Sequence, residues 1–457
     1  MKQKAGNEQT LFQPTGTPPW GMTISLALQH LVAMIVGCVT PAIMIANVTG
    51  MEQSLRVLLI QSSLVMAAVT TLLQLFPIGN KKGFIFGAGL PMIFGVSFAY
   101  VPSMQAIAVE QDGIAKIMGA LAIGGIIAVI AGLLVDKIHK FFPPLITGTV
   151  VFTIGLSLYP TAVNYMAGGT GNTYDVIVKT KGLTEALVYG SWQNWLVAII
   201  TLAIVMILNQ FGKGVFKLAS ILIGMVAGYI IAFFMGMVSF ADVSQSALVA
   251  TPKVLPFGMV FDPAACIAIG LLFAINAVQA IGDFTATTIG GMNREPTKQE
   301  LKGGIVAYGV ANTIASFFGG LPMATYSQNV GIVTTNKVIN RTVFATTGVF
   351  ILIAGFSPKF AAILTTIPQC VLGGATITVF ATIAMTGMKL IASQKLTPRN
   401  TTVVGLAVAL GVGVSQASAS LGQFPESFVM IFGKSPVVIA TIVAVFLNII
   451  LPKDKEN

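Results

Sequence analysis

GAGLPMIFGVSFAYVP (Gly87–Pro102) and GGLPMATYSQNVG (Gly319–Gly331) decide how this chain is read. Both sit in apolar surroundings, yet glycine and proline interrupt each of them. A continuous membrane-spanning helix cannot run through either, so each predicts a short extended strand leading into a half-helix. Both contain the string GLPM, at Gly89–Met92 and Gly320–Met323, and the offset (320 − 89 = 231) is close to half of the 457 residues. A four-residue identity is weak by itself, since about one is expected by chance in a chain this long. The half-length offset, and the placing of both copies in broken segments, give it weight.

Outward from these strings the chain is hydrophobic. Apolar residues make up 55%, charged residues 9%, and the mean hydropathy is +0.87, which leaves too little charge to cover a soluble protein of this length. The apolar residues come in blocks of about 17–25, the length that crosses a bilayer as helix. Fourteen spans are expected, at 22–47, 55–76, 91–110, 114–134, 143–162, 193–209, 217–239, 262–290, 301–319, 323–338, 342–357, 360–390, 402–418 and 435–452. The fold class is therefore all-α and integral to the membrane. Seven spans per half is an odd number, so the second half starts on the opposite side and the two repeats are inverted. Broken helices at matching positions of inverted repeats point to a transporter's midplane site, where half-helix N-termini offer unpaired N–H groups to a polar ligand.

The net charge of +10 raises a nucleic-acid reading that its distribution excludes. With a cytoplasmic N-terminus and fourteen crossings, which put both termini on the cytoplasmic side of an inner (cytoplasmic) membrane, eighteen of the 25 Lys and Arg fall inside and seven outside, a positive-inside bias. The first 19 residues are polar and Pro-bearing, with no apolar core before a cleavage site, so no cleavable signal peptide is expected. Cys38, Cys266 and Cys370 all lie in apolar stretches and suggest neither a disulfide nor a metal pattern. A hydrophilic insertion over roughly 164–191 is too short for a domain and is placed outside.

Of the fifteen acidic residues, fourteen fall near span ends or in loops; the exception is Asp283 in the eighth span. An intramembrane carboxylate usually marks an ion or substrate path. Asn276, Gln279, Asp283 and Thr287 recur at i, i+3, i+7 and i+11 and so share one helical face. His30, beside Gln29 in the first span, is read either as a helix–helix hydrogen bonder or as a proton-responsive residue near Asp283. His139, among Asp136, Lys137 and Lys140, reads as a loop residue. Gln328 and Asn329 open the tenth-span half-helix, and a Gln–Asn pair matches the amide edge of a planar base. With the GLPM strings aligned, Phe98 falls one position past the equivalent of Gln328, where an aromatic ring can stack on a flat ligand.

On these residues the chain resembles the nucleobase–ascorbate transporter family, which includes bacterial xanthine, urate and uracil permeases. The resemblance runs along nearly the whole chain and includes the QH pair (Gln29, His30), GVSFAYVP, the eighth-span AIGD and the tenth-span SQNVG, whose Gln328, Asn329 and Gly331 fit the start of the family signature. It implies a core domain (22–135 and 241–357) and a gate domain (136–240 and 358–452) between short tails (1–21 and 453–457). Homodimers, an elevator-like or rocking movement, and coupling to protons or sodium are also implied. Oxypurine carriers of the family show Gln where Gln328 stands and uracil carriers tend to show Glu, which favours xanthine or urate. Substrate binding is thus expected at Gln279, Gln328, Phe98, Asn329 and Asn276, supported by a polar core of Asp283, His30, Gln29, Tyr308 and Thr287. No metal and no cofactor are expected.

Three positions depart from the family. Gln279 replaces an eighth-span Glu, Tyr308 a ninth-span Asp, and Asn336, followed by Lys337, a usual Thr. Gln279 still hydrogen-bonds a base but cannot exchange a proton, and losing the carboxylate lowers repulsion of an anionic ligand such as urate. Proton coupling, another ion and uniport all stay open. A uracil carrier and an anion transporter of the sulfate-carrier type are the rivals. A membrane enzyme is not expected, because no metal cluster, nucleophile–base pair or phosphate loop is visible.

Overall fold

The computed structural model describes residues 9–79, 85–135, 143–169, 182–183 and 188–452. His139, most of the hydrophilic insertion and the ends of both tails lie outside these residues.

Helix dominates because long apolar segments satisfy their backbone groups internally. The first set of elements is α1 (Trp20–Thr49), α2 (Gln53–Leu75), a small hairpin β1–β2 (Ile78–Gly79 and Ile85–Phe86), β3 (Phe94–Val96), a 3-10 turn (Phe98–Tyr100), α3 (Val101–Ala108), α4 (Gly113–Leu133), α5 (Pro144–Met166), α6 (Trp192–Phe211) and α7 (Ser220–Phe234). The second set repeats it: α8 (Pro263–Met292), α9 (Lys298–Phe317), β4 (Met323–Thr325), α10 (Ser327–Asn336), α11 (Arg341–Gly355), α12 (Gln369–Ala392), α13 (Pro398–Gln416) and α14 (Pro436–Ile450). The correspondence extends to length: α1 and α8 both have 30 residues, α7 and α14 both 15.

Seven of these helices are long and apolar enough to cross a membrane on their own, and nine segments qualify when two bent helix pairs each count as one. Those pairs depart from the expected spans. The helix Pro358–Thr365 lies at 80° to α11, and its chain breaks before Gln369, so the stretch expected as one span over 360–390 is a short, mostly packed-in helix plus α12. Pro368 explains the break, because it cannot donate to a continuing helix and disfavours helical backbone before it. Likewise the segment Glu426–Gly433 meets α14 at 78°, ahead of Pro436.

The two broken segments meet as expected, but in a different register. β3 and β4 pair antiparallel, with Phe94 opposite Thr325, Gly95 opposite Ala324 and Val96 opposite Met323. The local two-fold relation therefore equates residues 229 apart (323 − 94), not the 231 of the GLPM strings. Met323 is in its strand while Met92 precedes its own, so Phe98 corresponds to Ser327 and Gln328 to Ala99.

The most extensive helix pairings are α5 with α12, α4 with α9 and α8, α2 with α11, and α13 with α14. Glycines allow the closest of these approaches. A Cβ on Gly155 of α5 would fall 2.4 Å from the Ala384 nitrogen of α12, and one on Gly387 of α12 would fall 2.2 Å from the Phe152 nitrogen. Small residues at such crossings let backbones pack where no hydrophobic drive separates protein from lipid.

Candidate functional site

At the strand pair, β3 and β4 exhaust most of each other's backbone hydrogen bonds, and Tyr326 covers the join. Its ring lies against Gly95 and Gly37, where any Cβ would approach it to 2.5 and 2.9 Å, and its hydroxyl donates to the Val96 carbonyl at 2.8 Å. Behind the pair, Thr71 of α2 accepts from the Phe94 amide at 3.0 Å, and Asn312 of α9 accepts from the Met323 amide at 2.7 Å. The extended backbone is thus buried in protein, the condition for non-helical chain at membrane depth.

Beside this join lies a cavity of about 200 Å³. Ser97, Phe98 and Ala99 form one wall, Thr325 to Gln328 a second, and Gln279 of α8 enters between them. Val151 and Ile154 of α5, with Thr382, Ile383 and Thr386 of α12, form the side opposite. The two threonines donate to carbonyls one turn back, at 2.8 Å each, so they present mostly methyl surface. Phe98 is held edge-on to Phe380 of α12, with ring centroids 5.1 Å apart. The volume is below the ~300–1,000 Å³ of drug-sized sites and suits a ligand of one or two fused rings.

Asp283 does not face the cavity as a free carboxylate. Ser327 donates to its Oδ1 at 2.8 Å and Thr325 to its Oδ2, so both hydroxyls that flank the α10 N-terminus are fixed from α8. Asn329 is fixed from α1: its Nδ2 lies 3.0 Å from His30 Nδ1 and 3.2 Å from the His30 carbonyl. With Nδ2 donating, the neutral imidazole carries its proton on Nε2, which has no protein partner among the described residues, like Asn329 Oδ1. His30 also packs on Phe344 at 4.5 Å. At the far end of α10, Lys337 caps the helix in left-handed backbone (φ 60°) and donates to the Gly290 carbonyl of α8. Lys337 after Asn336 in the altered part of the signature therefore has a structural task.

Of the ten expected site residues, Gln279, Gln328 and Phe98 line the cavity, while Asp283, Asn329 and His30 brace it. The other four are placed elsewhere. Asn276 is buried and donates to the Leu272 carbonyl at 3.1 Å; Thr287 is buried, its hydroxyl without a partner among the described residues; Gln29 is half-buried on α1. The face shared by Asn276, Gln279, Asp283 and Thr287 is longer than the cavity it passes. Tyr308 belongs to an aromatic cluster, its hydroxyl 2.8 Å from that of Tyr100 and its ring 5.7 Å from Phe273. Sequence reasoning missed Ser97, Thr325 and Ser327. Their only signal was their place inside the broken strings, since hydroxyl residues are common in membrane helices.

An open cavity at the join of two inverted broken segments, where Gln328 is exposed and Asp283 is a buried carboxylate brace, defines a membrane carrier. The comparisons specify which. Residues 21–420 match the model of the Permease family (Xan_ur_permease), and the chain belongs to that family, the nucleobase–ascorbate transporters. It is 32% identical over 434 residues to the xanthine permease of Bacillus subtilis (strain 168), covering 94% of each chain. It is also 32% identical to the uric acid permease PucK of the same organism, covering 94% of this chain and 96% of that one. Among solved structures, the transmembrane domain of the cyanobacterial bicarbonate transporter BicA is similar with a TM-score of 0.58 at 15% identity, over 92% of this chain and 97% of that one. The murine Slc26a9 anion transporter in the inward-facing state gives 0.60 at 12% identity, over 94% and 68%. At such identities these two show the shared inverted-repeat fold. The chain is a multi-pass transporter and not an enzyme.

Proposed function

We propose that this chain carries an oxidised purine base, xanthine or urate, across the cytoplasmic membrane by alternating access. The observation that carries the proposal is the cavity in which Gln279 and Gln328 stand beside the Phe98 ring. Two side-chain amides supply donors and acceptors for the lactam edges of an oxopurine, and the aromatic ring supplies a stacking face. Asp283, His30 and Asn329 hold the α10 N-terminus in place. The xanthine and uric acid permeases among the relatives support the purine class, and Gln at 328 favours it over uracil.

The reading extends to fourteen crossings, to cytoplasmic termini and to the core and gate division, because helix pairing is heaviest within those groups. Val151, Ile154, Thr382 and Thr386 lie toward the ends of α5 and α12 that join basic segments. At the opposite ends, Tyr165 donates to the Met44 carbonyl at 3.3 Å, Gln53 to Thr365 at 2.5 Å, and buried Arg56 to Asn47. With the basic side cytoplasmic, the carrier is open inward and closed outward. Homodimers and coupling to protons or sodium rest on the family resemblance alone.

The test is uptake of radiolabelled xanthine, urate and uracil into proteoliposomes, with and without imposed proton and sodium gradients. Xanthine or urate is expected to enter and uracil to be excluded. Gln328→Ala and Gln279→Ala, each leaving base-edge groups unpaired, are expected to lower kcat/KM by about 10- to 100-fold. Unchanged transport in both variants would remove the site assignment, and sulfate or bicarbonate flux without base uptake would favour the anion-carrier reading.

A further inference from the structure

A second cavity, of about 410 Å³, is twice the size of the first and differs from it in chemistry. It lies between the middle thirds of α1 (Val36) and α7 (Val226), closed on the other sides by Phe350 and Ala354 of α11 and by Ile363 of the helix Pro358–Thr365. Its one polar side chain is Tyr229, whose hydroxyl is already engaged with Thr366 at 2.5 Å. Water needs two to four polar partners to occupy a cavity, and this wall offers none that is free. An apolar recess of this extent is costly to leave against water. Hydrophobic matter must fill it.

We propose that the occupant is one acyl chain of a bilayer phospholipid, seated in the seam between α1–α11 and α7. The mouth is formed by Val226, 48% exposed, and Ile363, 40% exposed, and continues into outward-facing apolar side chains such as Ile230 and Ile353. On a multi-pass protein, exposed apolar side chains of this kind are the ones that bilayer hydrocarbon covers, so the nearest filler is a lipid chain. At ~30 Å³ for a group of water or methylene size, the space holds about 14 such groups, most of one chain. The headgroup is not part of the site, because no charged side chain among the described residues lines it. Because α7 faces α1 and α11 across this space, a seated chain acts as a shim that must shift when these helices move relative to one another. The site is independent of the identity of the transported substrate.

The experiment reconstitutes the full chain in phosphatidylethanolamine vesicles doped with the same lipid carrying a terminal diazirine on one acyl chain. After illumination and digestion, adducts are mapped by mass spectrometry. Segments 31–39 and 222–229 are expected to carry about tenfold more label than the exposed Phe446 and Ile449 of α14. Ala354→Trp, which fills the cavity, and Val226→Trp, which plugs its exposed mouth without displacing buried neighbours, are each expected to abolish the excess while leaving α14 labelling unchanged. Uniform labelling around the protein, or excess labelling that survives both variants, overturns the proposal. So does protection of the seam by a second copy of the chain, read as loss of label on dimerisation.

Discussion

The two strand-to-helix junctions share a backbone and differ in almost everything attached to it. At the second junction the side chains are polar and cross-braced: Thr325 and Ser327 bond to Asp283, and Asn329 bonds to His30. At the first, Ser97 accepts from its own turn, at Ala99 N (3.2 Å), while Phe98 packs on Phe380 and Tyr100 on Phe273. Two-fold pairing of β3 and β4 therefore sets the two walls of the pocket side by side, and their decoration is asymmetric. In the proposed function one wall reads hydrogen-bonding edges and the other offers an aromatic face. A flat heterocycle meets both demands at once, whereas a small round anion uses only the polar wall.

The largest expected effect comes from removing the brace of the polar wall. Asp283→Ala leaves the Thr325 and Ser327 hydroxyls without their carboxylate, and each lost charge-assisted bond is worth about 1.5–3 kcal/mol. Initial uptake rates, normalised to the amount of protein in the membrane, are expected to fall by about 100-fold or more. Asp283→Asn keeps one acceptor and lets the hydroxyls reorient toward its NH2 group, so it should retain more activity than the alanine variant. Equal rates for wild type and Asp283→Ala would mean that the second junction does not depend on the α8 carboxylate.

His30→Phe tests the second brace and should act less severely. It removes the acceptor at Nδ1 but leaves the His30 backbone carbonyl, so Asn329 keeps one of its two bonds. A loss of about 5- to 30-fold in uptake is expected, with partial rescue by His30→Gln, whose amide oxygen can accept from Asn329. If His30 were a proton carrier, the glutamine would not rescue, and the pH dependence of uptake would flatten. Rescue with an unchanged pH profile would assign His30 to structure.

What could be read from sequence follows from the range of the forces involved. Glycine and proline act locally, so both broken segments, their strand-then-helix form and the inverted repeat were legible from the strings themselves. Asp283 stood out because a carboxylate is costly among apolar neighbours. Its partners did not, since Thr325 and Ser327 are 42 and 44 residues away and only the fold brings them together. The GLPM strings misled the register by two residues, because identical letters need not occupy equivalent places in diverged repeats, and the strand pairing corrected it. Arg56 is one of the seven basic residues counted on the outer side, at the start of the span 55–76, and packing of α2 buries it against Asn47. Tyr308 stands at an acidic position of the family, and only the structure shows it joined to Tyr100 instead of the cavity.

The smallest expected effect belongs to the apolar wall and is the most selective. Phe98 bounds the cavity while its edge contact with Phe380 ties the first junction to α12. Phe98→Leu keeps most of the hydrophobic volume and removes the ring, so the expected loss is that of aromatic stacking, about 0.5–1.5 kcal/mol, or roughly 2- to 10-fold in KM. The maximal rate should change little, since the braces on α10 are untouched. Phe98→Tyr keeps the ring and should sit near wild type. The comparison between the walls is sharpened by competition: Phe98→Leu should weaken all planar bases to a similar extent, whereas Gln328→Ala should blur the distinction between xanthine and uracil. A Phe98→Leu variant that changed base preference as strongly as Gln328→Ala would break the division of labour, because a ring face carries no pattern of donors and acceptors by which one base edge differs from another.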